Sequence, residues 1–388
     1  MKKILAIILA SAMALSMAAC GAPAASSSAP AESKAPAAES KAPAESAAPA
    51  DDGKFELALI TDIGTIDDKS FNQGAWEGLK KYAEENKVTH KYYKPTEKST
   101  DAYLSAIELA VKGGAKVIVT PGFLFEEPVF IAQDTYPDVN FILIDGTPHN
   151  ADYSEFRTNK NAVGILYAEE QAGYLAGYAA VKDGMTKLGF LGGMAVPAVV
   201  RFGYGYVQGA EAAAQELKLP AGSVTMNYHY TGGFDATPEA QTLAASWYQS
   251  GTEVIFACGG AVGNSAMAAA EQAKGKVIGV DVDQSAESDT VITSATKGLG
   301  VSVYDTLKAY YAGTFPGEKT MIFDASNNGV SLPMGTSKFA KFSQADYDAL
   351  YKQLAGGAIK LVKDTDDAKK EVKVTDIKTT AVKLTVVG

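Results

Sequence analysis

The chain has 388 residues, enough for two domains of ordinary size, and its 47% hydrophobic and 21% charged content is the balance of a soluble globular protein. Its formal charge of −10 argues against a nucleic-acid binder, which would show a basic face. Two cysteines and three scattered histidines, His90, His149 and His229, leave no spacing for an internal disulfide framework or a zinc site.

From the N-terminus, Lys2 and Lys3 precede an apolar stretch, Ile4 to Ala19, too short to span a bilayer but suited to a signal-peptide core. It ends in "SMAAC", which resembles a bacterial lipobox, so residues 1–20 are expected to be a lipoprotein signal and Cys20 the lipid-bearing residue. A plain secretory signal with a chance cysteine is the alternative. Gly21 to Ala50 is almost wholly Ala, Pro, Ser, Glu and Lys, with "ESKAPA" given twice. Such a segment cannot bury enough apolar surface to offset its chain entropy, so residues 21–52 are expected to be a disordered tether.

From Phe55 the chain alternates between short β-type runs and helical stretches. The strand candidates are "FELALITD", "HKYYKP", "KVIVTPG", "NFILIDG", "KLGFLGG", "VTMNYHY", "EVIFACGG" and "KVIGVDVD". Apolar spacing and alanine content predict helices over 69–85, 101–112, 161–182, 204–217, 238–249 and 264–273. Several strands are continuously apolar, as in a parallel sheet covered on both faces, and the alternation is that of the α/β class. The series occurs twice, with the irregular "PHNADYSEFRTN" between, which predicts two doubly wound lobes, a connector and a cleft. In such sheets ligands lie beyond the carboxyl ends of the strands, where this sequence gathers Asp62, Asp145, Gly259, Gly260, Asp281 and Asp283. Cys258, inside an apolar strand, reads as an inert buried thiol. Asp67 and Asp68 look like an acid cluster but read better as caps of the next helix.

The order of "TDIGTIDDKSFNQGAWEGL", "FILID", "EEQAGYLAGYAA", "GFLGGMAVPAVVRFGYGYVQGA", "VIFACGG", "VIGVDVDQ" and "VITSATKG" resembles the basic membrane protein family, substrate-binding lipoproteins of ABC importers whose best-understood members bind purine nucleosides. The resemblance implies a type I periplasmic-binding-protein fold with three crossings between lobes. It implies a first lobe of residues 53–155 plus about 288–318, and a second of 156–287 plus about 319–388. It further implies that Phe71 stacks on a nucleobase, an interaction worth about 1–3 kcal/mol. A second ring would come from the other lobe; Phe202 is the candidate, with Tyr204 and Tyr206 competing. Asp145 would accept from the base edge, Asp281 would hold the ribose hydroxyls, and Lys297 would donate to them. Asp283 is a weaker candidate on the same strand face.

Other readings of these residues stay open. Phe71 could be a staple at a helix start, Asn72 a helix cap rather than a reader of base or ribose edges, and Asp145 a turn cap. Lys297 could be a solvated lysine. Gly260 suits close approach of backbone to ligand, and Asp62 either orients its turn or touches the ligand. The chain is thus expected to be a non-enzymatic, membrane-anchored, extracytoplasmic carrier of purine nucleosides for an ABC permease, with no cofactor, metal or nucleic-acid partner. The alternatives are a sugar- or other small-solute-binding or sensing protein of the same fold, or a nucleoside hydrolase. Against the last, no acid/base pair at motif spacing, "GxSxG" or metal set is present.

Overall fold

The computed structural model describes residues 53–366 and 368–387, so the expected signal, tether and lipid-bearing Cys20 lie outside the described residues. Thirteen strands are described: β1 (Leu57–Ile60), β2 (His90–Tyr93), β3 (Val117–Pro121), β4 (Asn140–Ile144), β5 (Ala162–Tyr167), β6 (Lys187–Gly192), β7 (Val224–Tyr230), β8 (Val254–Cys258), β9 (Lys276–Asp281), β10 (Val291–Lys297), β11 (Lys319–Phe323), β12 (Val330–Ser331) and β13 (Val382–Val386). The described α-helices are α1 (Phe71–Asn86), α2 (Thr100–Lys112), α3 (Glu126–Thr135), α4 (Glu169–Lys182), α5 (Pro197–Glu216), α6 (Pro238–Gln249), α7 (Val262–Ala273), α8 (Leu299–Tyr311) and α9 (Gln344–Ala355).

The strands form two sheets. One has the order β11-β5-β4-β3-β1-β2, the other β12-β10-β9-β8-β6-β7-β13. Every pairing is parallel except β10 with β12. The central strands β1, β3 and β8 are buried along their whole length, which is why they read as unbroken apolar runs rather than alternating ones. All eight strand candidates are strands, and the α/β fold with parallel sheets is that expected.

The lobe boundaries differ from those expected. Residues 161–182, read as one helix, begin with β5, which lies between β4 and β11 in the first sheet; the alanine-rich stretch that becomes α4 carries the helix reading back over it, although Val163, Ile165 and Tyr167 are strand formers and Gly164 disfavours helix. The irregular 148–159 segment is therefore not the connector but a loop of the first lobe, closed by a bridge between His149 and Phe156. "VITSATK" is β10 and pairs with β9 in the second sheet, not the first. Helix α8 does pack on α1 of the first lobe, and β11 follows it into the first sheet rather than the second. The chain thus crosses between sheets after β5, after β10 and after β11.

In the second lobe α4 and α5 pack with almost no side-chain layer between them. A Cβ at Gly173 would stand 2.0 Å from the Phe202 carbonyl oxygen, and one at Gly177 would stand 2.1 Å from that of Tyr206. From the other side, Gly205 and Gly209 would each meet a carbonyl of α4, that of Glu170 or Tyr174, at 2.0 Å. Spacing of four puts each pair of glycines on one helical face. The two helices therefore lie backbone against backbone, and their N-terminal residues, Glu169 on α4 and Arg201 and Phe202 on α5, share one corner of the cleft.

Candidate functional site

Between the lobes lies a cavity of about 720 Å³, within the range of small-molecule sites. Asp62, Gly122 and Asp145 line it from the strand ends of the first lobe, and Gly259, Gly260, Asp281 and Lys297 from those of the second. Both sheets thus present their carboxyl ends to the same space.

The β1–α1 turn is organised by carboxylates. Asp68 accepts from the backbone N–H of Ser70 at 2.9 Å, Asn72 at 3.0 Å and Gln73 at 3.1 Å, satisfying the orphan donors of the α1 start as expected for a cap. Asp67 is exposed and makes no such bond to the helix. The Asn72 amide donates to Asp62 and to Asp68, each at 2.9 Å, and its carbonyl accepts from the Asp62 N–H at 3.2 Å. Asn72 lines the cavity but its polar atoms are committed to the turn. Asp62 also accepts from Gly64 N–H at 2.7 Å, and burial pushes its carboxyl up to about 6. Asp62 and Asn72 together hold Phe71, whose half-buried ring lines the cavity at the first residue of α1.

The centre of the cleft is the Lys297 ammonium, with 2% of its side chain exposed. It donates to Asp145 Oδ2 at 2.5 Å and stands 3.5 Å from Glu169 Oε1 and 3.7 Å from Asp281 Oδ1. Three rings face it, Phe71 at 4.9 Å and Tyr167 and Phe202 at 5.4 Å, at cation–π distance. Ser70 donates its hydroxyl across the cleft to Asp281 Oδ2 at 2.5 Å. Burial raises the Asp281 carboxyl, against the opposing pull of Lys297. Burial alone would push the Lys297 ammonium down, but its three carboxylates outweigh that and hold it above the ordinary lysine range. Asp145 Oδ1 is buried with no hydrogen-bond partner. Asp145 and Asp281 both terminate strands in the left-handed region, with φ of 55° and 67°. That sparsely populated conformation turns each carboxylate off its sheet and into the cleft.

The second lobe resolves three alternatives. Phe202 lines the cavity, although Phe256 packs edge-on against it at 5.9 Å and only 1% of it is exposed. Tyr204 donates to the Val372 carbonyl at 2.6 Å, and Tyr206 packs on Phe256; both belong to the core instead. Asp283 lies past the end of β9, where the turn at Asp281 breaks the strand alternation, and it accepts from Thr336 at 2.6 Å outside this cavity. Gly260 has φ of +56°, while Gly259 is required by the close approach of Gly193, whose nitrogen would lie 2.6 Å from an added Cβ. The tight contact at Gly259 is thus between strands, not with a ligand. Cys258 is buried, and burial pushes its thiol well above the usual range.

Sequence reasoning missed Glu169, Arg201, Phe234 and the His149–Glu126 pair at 3.2 Å, all of which line the cavity. Glu169 was hidden because its position at a helix start became apparent only when β5 ended before it. The paired acids of "EEQAG" were the available signal. Among the described residues no group of three His, Cys, Asp or Glu side chains is arranged to hold a metal ion.

The family of PnrA-like ABC transporter substrate-binding proteins, Bmp, matches residues 55–371. The chain belongs to that family. This bears out the resemblance read from the sequence, and the Bmp family is one of binding proteins rather than enzymes. A Bmp relative from Lactococcus lactis named ABC transporter nucleoside-binding protein BmpA is 32% identical over 299 residues, 71% of this chain and 81% of its own. Basic membrane protein A of Borreliella burgdorferi is 33% identical over 249 residues, 63% of this chain and 69% of its own. A solved ABC transporter solute-binding protein from Aeropyrum pernix superposes with a TM-score of 0.69 over 81% of this chain and 95% of that one, at 24% identity, a likeness of fold alone.

Proposed function

We propose that this Bmp protein captures a purine nucleoside in the interlobe cavity and delivers it to an ABC permease, held on the extracytoplasmic face of the membrane by lipid on Cys20. One observation carries the reading: an aromatic face, Phe71, and a buried Asp145–Lys297–Asp281 network line the same cavity, and Asp145 retains an acceptor atom with no protein donor. A flat base stacks on Phe71, with Phe202 as the opposing ring, while Asp145 Oδ1 accepts from a ring N–H or exocyclic amine. Asp281 and Lys297 hold the ribose hydroxyls by charge-assisted bonds, each worth about 1.5–3 kcal/mol. The Gly260 backbone allows close approach, and Asn72 and Asp62 act by fixing the turn that presents Phe71. The printed name of the Lactococcus relative supports the ligand class.

The walls favour an uncharged solute. Eight carboxylate side chains line the cavity against three from lysine and arginine, an environment hostile to a ligand phosphate. The test is calorimetric titration of the mature chain with inosine, guanosine, adenosine, ribose and inosine 5′-monophosphate. Nucleosides are expected to bind, and ribose and the monophosphate to give no heat. Phe71→Ala is expected to weaken nucleoside binding at least tenfold with its melting temperature preserved. Wild-type affinity in that variant would overturn the reading, and release of free hypoxanthine from inosine would favour a hydrolase.

A further inference from the structure

Glu169 has no role in that reading, yet its place is unusual. Its side chain is 2% exposed, lines the cavity, and is the first residue of α4 where the chain first crosses between the lobes. Charged groups surround it from every side. Lys297 on β10 lies 3.5 Å from Oε1, Arg201 on α5 lies 3.8 Å from Oε2, and Asp145 and its own neighbour Glu170 add negative charge.

Most of the positive charge there is already claimed. The Arg201 guanidinium is held by Asp364 through bonds of 2.5 and 3.2 Å, and Lys363 pairs with Glu170 at 3.0 Å. Lys297 alone serves three carboxylates. Asp145 takes its shortest bond, and Asp281 receives the Ser70 hydroxyl as well. Glu169 receives no hydrogen bond of ordinary length, and its Oε2, with Arg201 at 3.8 Å, is buried with no hydrogen-bond partner. Two buried negative charges in excess of one ammonium are costly, and the carboxyl with the fewest donors is the one that keeps a proton. Burial indeed pushes the Glu169 carboxyl up to about 8.

We infer that Glu169 stands in the cavity as a neutral carboxylic acid and donates its Oε2 proton to an acceptor atom of the bound base, a ring nitrogen or a carbonyl oxygen. The inference rests on the nucleoside reading and deepens it. Asp145 Oδ1 supplies an acceptor and Glu169 a donor, so the site reads a base edge that presents N–H and acceptor groups together. Glu169 is thereby a specificity-determining residue. Its proton also ties affinity to pH, because only the protonated fraction is competent to bind.

Two measurements test it. Calorimetry with adenosine and inosine between pH 6 and 9 is expected to show wild-type affinity falling about tenfold from pH 7 to pH 9. Glu169→Gln, whose amide still donates from the same place, is expected to bind within about threefold of wild type at pH 7 and to lose the pH dependence, apart from any titration of inosine itself. Glu169→Leu, which has no donor, is expected to bind about tenfold more weakly at pH 7. Independently of any ligand, infrared difference spectra of the free protein should contain a protonated-carboxyl band at pH 7 that is absent from Glu169→Gln. A wild type that binds with a flat profile and lacks that band would overturn the role of Glu169 alone, as would Glu169→Gln binding as weakly as Glu169→Leu. No heat with either nucleoside would overturn the nucleoside reading itself, with the infrared band still deciding the proton.

Discussion

Lys297 lies within 3.7 Å of Asp145, Glu169 and Asp281, so its removal strips that cation from all three buried carboxyls and leaves Glu169 only the Arg201 guanidinium, at 3.8 Å. Breaking a buried ion pair by deleting one partner costs about 3–5 kcal/mol, because the remaining charge is uncompensated. Lys297→Met is therefore expected to lower the melting temperature measured by scanning calorimetry. The ammonium of the folded state is raised by these carboxylates, and the carboxyls lose their stabilising partner in the variant. As pH falls Asp281 and Glu169, whose carboxyls burial already raises, protonate and the penalty shrinks, so the deficit should be smaller at pH 5 than at pH 8. An equal deficit at both would contradict this electrostatic account. Asp145 and Asp281 were legible in the sequence because each stands where an apolar strand meets a polar turn, and Phe71 through the family resemblance, at the start of the helix that follows the first such turn. Lys297 was legible only through the family resemblance, since a lysine by itself reads as solvated. Glu169 left only the paired acids of "EEQAG" as a signal, because whether a carboxyl is desolvated depends on what packs around it.

At the scale of elements, α4 and α5 matter most, since their contact sets where Glu169, Arg201 and Phe202 stand. The Gly177 position has a carbonyl 2.1 Å from where a Cβ would be, and that neighbour is helix backbone that cannot swing aside. Gly177→Ala is expected to force the helices apart and destabilise the protein by about 3 kcal/mol, the upper part of the overpacking range, read from urea unfolding. Affinity should fall along with stability, because the two helix starts move as well. A stability within 0.5 kcal/mol of wild type, on the order of an ordinary surface substitution, would refute the contact. Glycines repeating at four were visible in "GYLAG" and "GYVQG", but not which helix each would meet. The same segment shows why β5 was misread: the alanine-rich α4 dominated the window, while "AVGILY" itself carries strand formers and pairs with β4 and β11.

Across the whole molecule, polar bridges join the lobes at the cleft. Ser70 bonds Asp281, Lys297 bonds Asp145, Gln284 donates to the Lys69 carbonyl at 2.7 Å, and Lys69 pairs with Glu287 at 3.6 Å. Each sheet keeps its own covering helices, so such bridges bias lobe closure more than they stabilise either lobe. Ser70→Ala is expected to raise the dissociation constant for a nucleoside about tenfold, equivalent to the loss of one charge-assisted bond. The ligand-free radius of gyration from small-angle scattering should exceed that of wild type, and saturating nucleoside should restore it. Unchanged scattering and affinity would remove Ser70 from the closing mechanism.

The sequence by itself determined the class of fold, the eight strand candidates and the strand-end positions from which a ligand is met. These follow from hydrophobic periodicity and turn chemistry, which are local properties of the chain. Only the tertiary structure decided which lobe each late segment joins, which of Phe202, Tyr204 and Tyr206 faces the cleft, and which acid is robbed of its donors. Those outcomes depend on contacts between residues far apart in the chain, where desolvation and backbone packing, rather than residue type, set the energy.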